Sequence, residues 1–166
     1  MRNIVALPVI LFSVILQSAI ISRVYLLSGI ADLPLVMLAA WALQEEVDSA
    51  WQWAVATGLL VGFISGIPLI VPVLGYIAVV VLAQIFQRRV WQAPLLAMFS
   101  ITFLGTIVVS VLSLVVLRFL GVPLPISDVL GLLTLPSVLL NMLLAIPVYA
   151  VMRDLARWVY PSLEVE

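Results

Sequence analysis

The side chains that most often carry chemistry are scarce in this sequence. Its 166 residues include no histidine, cysteine or lysine, so the commonest general base, the commonest metal ligands and a cysteine nucleophile are missing. A serine nucleophile needs an adjacent base, and neither histidine nor lysine is there to serve. The acids Glu45, Glu46 and Asp48 fall in one polar segment, and no glycine-rich phosphate loop is visible. The sequence therefore predicts a protein that is not an enzyme, with no catalytic residue, cofactor or metal site.

Composition indicates that lipid, rather than water, solvates most of the surface. Hydrophobic residues make up 66% of the chain and charged residues only 9%, whereas a soluble domain carries roughly a quarter charged residues. The formal net charge of −1 offers no basic surface for nucleic acid. At about 20 residues per span, the length leaves room for about six helices and short loops. We therefore predict an all-α integral membrane protein with a single transmembrane domain over residues 1–166.

Charged and helix-breaking residues divide the chain into six hydrophobic segments. The first could be a cleaved signal peptide, but its length and the poor cleavage site at residues 18–20 favour a retained helix. The second is short, because polar residues begin at Gln44 soon after Asp32. It either thins the bilayer locally or packs against neighbours that hide its ends. The predicted helices span residues 3–22, 30–44, 50–67, 70–87, 91–118 and 129–152.

Arginine placement predicts the orientation, because cytoplasmic loops carry an excess of basic residues. If both termini are cytoplasmic, only Arg23 and Arg118 face outward. The other five arginines then lie inside, namely Arg2, Arg88, Arg89, Arg153 and Arg157. We therefore expect both termini in the cytoplasm, with Asp32 in an outer loop. No acid or arginine is expected deep within a span, which argues against proton-coupled transport.

Small residues at every fourth position form the sharpest local pattern. Positions 50, 54, 58, 62 and 66 of the third helix are alanine or glycine, and this spacing places them on one face. In membranes, such a face lets another backbone approach closely. It could pack within the bundle, receive the helix of a partner, or give access to a ligand. The candidate packing or partner-binding residues are Ala54, Gly58, Gly62 and Gly66.

The last hydrophobic segment carries an amide near its centre. Asn141 needs a hydrogen-bond partner in an apolar environment. Pro136 and Pro147 in the same helix each free a backbone carbonyl. Asn141 could therefore satisfy a freed carbonyl or a neighbouring helix, or it could face a functional cavity. Pro136 and Asn141 are added to the candidate residues.

The order of features from Asp32 onward resembles a known family. The features are Leu33-Pro34-Leu35 at the start of a short helix, the glycine-stepped segment 57–66 before a Pro/Gly turn, Gly75-Tyr76, Pro136 and Asn141 in the last helix, and Arg153 and Arg157 after it. This order is similar to that of the rod-shape-determining protein MreD family, and it covers most of the chain. One departure is that family members often have an aspartate where this chain has Ile64 and Ser65.

The resemblance implies a non-enzymatic inner-membrane component of the cell-wall elongation machinery in rod-shaped bacteria. Members partner the scaffold MreC, which has a single transmembrane helix. Together they help to control the glycosyltransferase RodA and a class B penicillin-binding transpeptidase, alongside the actin-like MreB. The family is also similar in fold to the six-helix substrate-binding subunits of energy-coupling-factor vitamin transporters. A vitamin-binding subunit is therefore the alternative, and it would need a pocket with several convergent polar groups.

Overall fold

Helices account for nearly all of the structure, a computed structural model that describes residues 2–45, 47, 49–89, 93–123 and 125–160. A one-turn 3₁₀ helix, Ile21–Arg23, leads from the first helix into a two-stranded antiparallel hairpin. The elements, in chain order, are α1 (Arg2–Ala19), β1 (Tyr25–Leu26), β2 (Gly29–Ile30), α2 (Leu33–Ala42), α3 (Ala50–Ser65), α4 (Ile70–Arg89), α5 (Pro94–Phe119) and α6 (Ile126–Val159). Within α6, the segment Val129–Thr134 is π-helical.

Three of these helices are long and apolar enough to cross a membrane. They are Ile70–Arg88 within α4, α5 and α6. The other apolar helices of the described chain are shorter, at Leu7–Ala19, Leu33–Ala42 and Ala50–Ser65. Three of the six predicted spans are therefore helices that are long and apolar enough to cross a membrane, which is consistent with the predicted all-α membrane protein.

Helix ends follow the helix-breaking residues of the sequence. Gly66 adopts a left-handed conformation with φ 68° and ends α3. The predicted start of the fifth helix at residue 91 lies outside the described residues, and α5 begins at Pro94, whose ring suits the first turn. The last helix is longer than the predicted 129–152, because Arg153 and Arg157 lie on it rather than after it.

The short helix α2 lies inside the protein. It begins at Leu33 rather than at residue 30, because Gly29 and Ile30 pair in the hairpin and Asp32 caps the helix. Its 10 residues are all buried, and it packs against every other helix. At 1.5 Å per residue it is roughly 15 Å long, about half the thickness of a bilayer core. Of the two interpretations of this segment, the contacts favour packing against neighbours.

Aromatic packing holds the far end of α2. The rings of Trp41 and Trp53 stack with centroids 4.4 Å apart, which joins α2 to α3. Tyr160, just beyond α6, lies 6.3 Å from Trp41 in a tilted arrangement. Both tryptophans are almost completely buried. Aromatic side chains thus pack against this end of α2, whereas a network of hydrogen-bonding side chains surrounds its beginning.

Candidate functional site

Polar side chains from four helices converge on the first turn of α2. We call this group the polar junction: Gln17 of α1, Asp32 before α2, Tyr76 of α4, Thr106 of α5 and Asn141 of α6. The remainder of the described interior is mainly apolar. The polar junction is therefore the main polar cluster in the described interior.

The polar junction exists because the first N–H groups of a helix have no partner within the helix. The Leu35 N–H donates to Asp32 Oδ1 at 3.0 Å, the usual N-cap bond. The Leu33 N–H donates to Gln17 Oε1 at 2.8 Å, while Gln17 Nε2 donates to the Ala31 carbonyl at 2.7 Å. Pro34, in the first turn, has no N–H to satisfy. Side chains thus replace the water that would solvate this helix end at a protein surface.

Asn141 joins three parts of the chain. Its Oδ1 accepts from the Asp32 N–H at 2.6 Å, and its Nδ2 donates to Thr106 Oγ1 at 2.9 Å. The Thr106 hydroxyl in turn donates to the Thr102 carbonyl at 2.7 Å. Asn141 is 1% exposed, so these partners matter energetically. The contacts favour the interpretation that Asn141 satisfies neighbouring segments rather than a carbonyl freed by proline.

Pro136 shapes the surface on which the hairpin lies. A proline in a helix frees the carbonyl four residues earlier, and here the Leu132 carbonyl accepts from the Ser28 N–H at 3.2 Å. The Ile30 N–H donates to Ser137 Oγ at 3.1 Å. A Cβ atom on Gly29 would lie only 2.6 Å from the Ser137 nitrogen, so only glycine permits this close approach. The hairpin is therefore fixed to α6 at the residues around Pro136.

Asp32 lies between the hairpin and the buried helix α2, at the N-cap of that helix. The hairpin folds back on α6 and carries Asp32 to the beginning of the buried helix α2. The hydroxyl of the buried Tyr76 donates to its carboxylate, at 3.0 Å from Oδ1 and 3.1 Å from Oδ2. Asp32 itself is half-buried. An acidic side chain thus lies among the helices, although none was expected there.

A cavity of about 410 Å³ adjoins the Asp32 carboxylate, and we call it the Asp32 cavity. Its volume is within the range of small-molecule sites, roughly 300–1,000 Å³. It lies between α1, the start of α2, the end of α3 and α4. Its polar lining residues are Gln17, Ser18, Asp32, Ser65 and Tyr76, and its apolar ones are Val14, Ile30, Ala31, Pro34, Val61, Ile64 and Ile67.

The small-residue face of α3 lies against α4. A Cβ atom on Gly58 would lie 2.6 Å from Val73 Cα, and one on Gly62 would lie 2.6 Å from Leu69 Cδ2. Ala54 is fully buried, whereas Gly66 has no such neighbour and serves as the helix end. The contacts of Gly58 and Gly62 therefore favour packing within the bundle. A partner's helix could reach this face only by displacing α4.

An apolar groove of about 540 Å³ lies between α1 and α6, and we call it the α1–α6 groove. Leu33 and Met37 of α2 also line it, and Ser13 is its only polar lining residue in the described chain. Phe12 and Val151 are each 65% exposed there. The other lining residues are Pro8, Val9, Leu16, Ile21, Leu144, Pro147, Val148, Met152 and Leu155.

Sequence reasoning singled out Asn141 and Pro136 but did not predict that Asp32, Gln17 and Tyr76 form hydrogen bonds at the beginning of α2. One signal was present: an aspartate directly before an apolar segment with proline in its first turn is typical of a helix start. Because that segment is apolar all round and too short to span, a buried start was one of the two interpretations that the sequence left open. Comparison of the chain with protein-family models, with curated proteins and with solved structures gives no match.

Proposed function

We propose that this chain is a non-enzymatic scaffold or regulatory subunit of the cell-wall elongation machinery in the bacterial inner membrane. It crosses the membrane several times with both termini in the cytoplasm. It binds a single-span membrane protein of the MreC type and, through it, supports the RodA glycosyltransferase, the class B penicillin-binding transpeptidase and MreB in peptidoglycan synthesis and rod shape. The order of sequence features from Asp32 onward supports the family resemblance behind this proposal.

The observation that carries the proposal is the α1–α6 groove. Helix association in a membrane depends on close packing rather than on hydrophobic burial alone. The groove runs along α6 from Leu144 to Leu155, roughly 16 Å at 1.5 Å per residue. That length matches about three turns of a partner helix. Its lining is almost free of polar groups, as suits an apolar transmembrane segment rather than a water-soluble ligand.

Co-purification from native membranes tests the proposal. Mildly solubilised protein should retain one single-span membrane protein with a periplasmic domain, identified by mass spectrometry. Depletion in a rod-shaped host should yield rounded cells, because the elongation machinery would lose a subunit. Purified protein without such a partner, together with unchanged cell shape on depletion, would contradict the proposal.

A vitamin-binding transporter subunit is the second candidate, and the Asp32 cavity is the observation in its favour. Five polar side chains converge there on a volume of about 410 Å³. A tightly bound vitamin would stabilise the protein by about 2.7 kcal/mol at a hundredfold excess over its dissociation constant. A thermal-shift screen with water-soluble vitamins measures this. A reproducible rise in Tm with one vitamin, together with no co-purifying partner, would contradict the scaffold function and support the vitamin-binding function.

A further inference from the structure

Beyond the scaffold function, we propose that the Asp32 cavity binds a small organic cation. An ammonium group pairs with the Asp32 carboxylate, and a short apolar body fills the rest of the cavity. Binding at this site is separate from the α1–α6 groove, because the two share no lining residue in the described chain.

The charge of Asp32 lacks a compensating cation. Its described hydrogen-bond donors are the Leu35 N–H and the Tyr76 hydroxyl, both neutral. Among the residues that the structure describes, the observed ion pair is Arg153 with Asp154, and no arginine pairs with Asp32. Moving a carboxylate out of water, even in part, is unfavourable unless an opposite charge and hydrogen bonds compensate it. A cation placed beside this carboxylate therefore gains more than one at an exposed acid.

The N-cap role of Asp32 does not explain its charge. Asparagine and serine cap helices about as well as aspartate, and the capping bond uses Oδ1 alone. Tyr76 has one hydroxyl proton, so it satisfies only one carboxylate oxygen at a time. Oδ2 accepts nothing else among the described residues. This oxygen is the natural acceptor for an N–H of the ligand.

The rest of the Asp32 cavity selects the kind of cation. Its lining is mainly aliphatic, with Val61, Ile64 and Ile67 near the end of α3. The Ser65 hydroxyl has no hydrogen-bond partner in the described structure and can accept a second N–H. A hard metal ion would require six or more oxygen ligands, and no group of three or more acidic side chains occurs in the described chain. An alkylammonium group suits a cavity that combines one carboxylate, a few uncharged polar side chains and apolar walls.

Thermal-shift titration of the purified, full-length protein tests the site. The probes are butylammonium chloride, the neutral isostere 1-butanol, and sodium chloride at matched ionic strength. Butylammonium should raise the Tm in a saturable manner, whereas the other two should not. Asp32→Asn keeps the helix cap but removes the charge, and should weaken butylammonium binding at least tenfold. Asp128→Asn, at an exposed acid near the start of α6, is the matched control and should bind as the wild type does.

A second variant keeps the proposal testable if Asp32→Asn does not fold. Ile67→Trp leaves the carboxylate in place and fills the cavity from the loop, so it should also abolish the butylammonium shift. Equal shifts with butylammonium and 1-butanol, or unchanged binding by Ile67→Trp, would overturn the proposal. If sodium chloride alone raised the Tm as much as butylammonium does, the site would bind an inorganic cation, and the proposed organic cation would be wrong. Partner retention should be unaffected by Asp32→Asn, so failure here leaves the scaffold function standing.

Discussion

Asn141 shows how one side chain can connect distant parts of an apolar helical chain. The backbone N–H that it accepts from is 109 positions away, and the hydroxyl that it donates to is 35 positions away. The need for a partner followed from the sequence, because an amide in an apolar helix must be satisfied. The identity of the partners did not, because short-range patterns carry no information about contacts so far apart. The same limit explains why Tyr76 and Asp32 were not predicted to meet.

Asn141→Leu should destabilise the protein. It removes both hydrogen bonds and leaves the Asp32 N–H buried without its acceptor, which typically costs about 1–3 kcal/mol. Thermal unfolding in detergent measures the loss. Ser113→Ala is the control, because the Ser113 hydroxyl bonds only to a carbonyl of its own helix, and its effect should lie within about 0.5 kcal/mol. Equal melting temperatures for the two variants would show that the polar junction contributes no stability.

At the scale of helices, the sequence predicted where the helices and turns lie along the chain better than it predicted which helices pack against each other. The turn between α3 and α4 and the glycine face of α3 were both anticipated from glycine and proline spacing. Periodicity could not decide which helix covers that face, since a smooth face suits any neighbour. The complete burial of α2 was likewise open, because an apolar segment without a polar side fits both a thinned bilayer and a protein interior.

Gly58→Ala should weaken the packing of α3 against α4. The added Cβ would lie 2.6 Å from Val73 Cα, and backbone can move away less easily than a side-chain end. Overpacking of this kind typically costs about 1–3 kcal/mol, which a lower Tm and lower expression would report. Gly131→Ala is the matched control, because a Cβ there meets nothing within 4 Å. A Tm of Gly58→Ala as high as that of the control would mean that the two helices do not approach so closely.

At the scale of the whole molecule, two surfaces are separated by the buried helix α2. The Asp32 cavity adjoins its beginning, and the α1–α6 groove runs past Leu33 and Met37. Composition predicted the lipid-facing exterior and the helical fold. It could not predict the groove, because a groove arises from the relative placement of α1 and α6, whose sequences are apolar on most sides. The proposed partner therefore meets a surface that only the assembled fold creates.

Crosslinking in living cells tests the central claim, that the α1–α6 groove holds the helix of a single-span membrane protein. A photoreactive amino acid is placed at Val151, 65% exposed in the groove, or at Val115, 43% exposed on α5 outside it. Mass spectrometry then identifies the crosslinked product. We predict that position 151 captures the transmembrane segment of one single-span protein and that position 115 does not. Equal capture at both positions, or no protein product from position 151, would contradict the account.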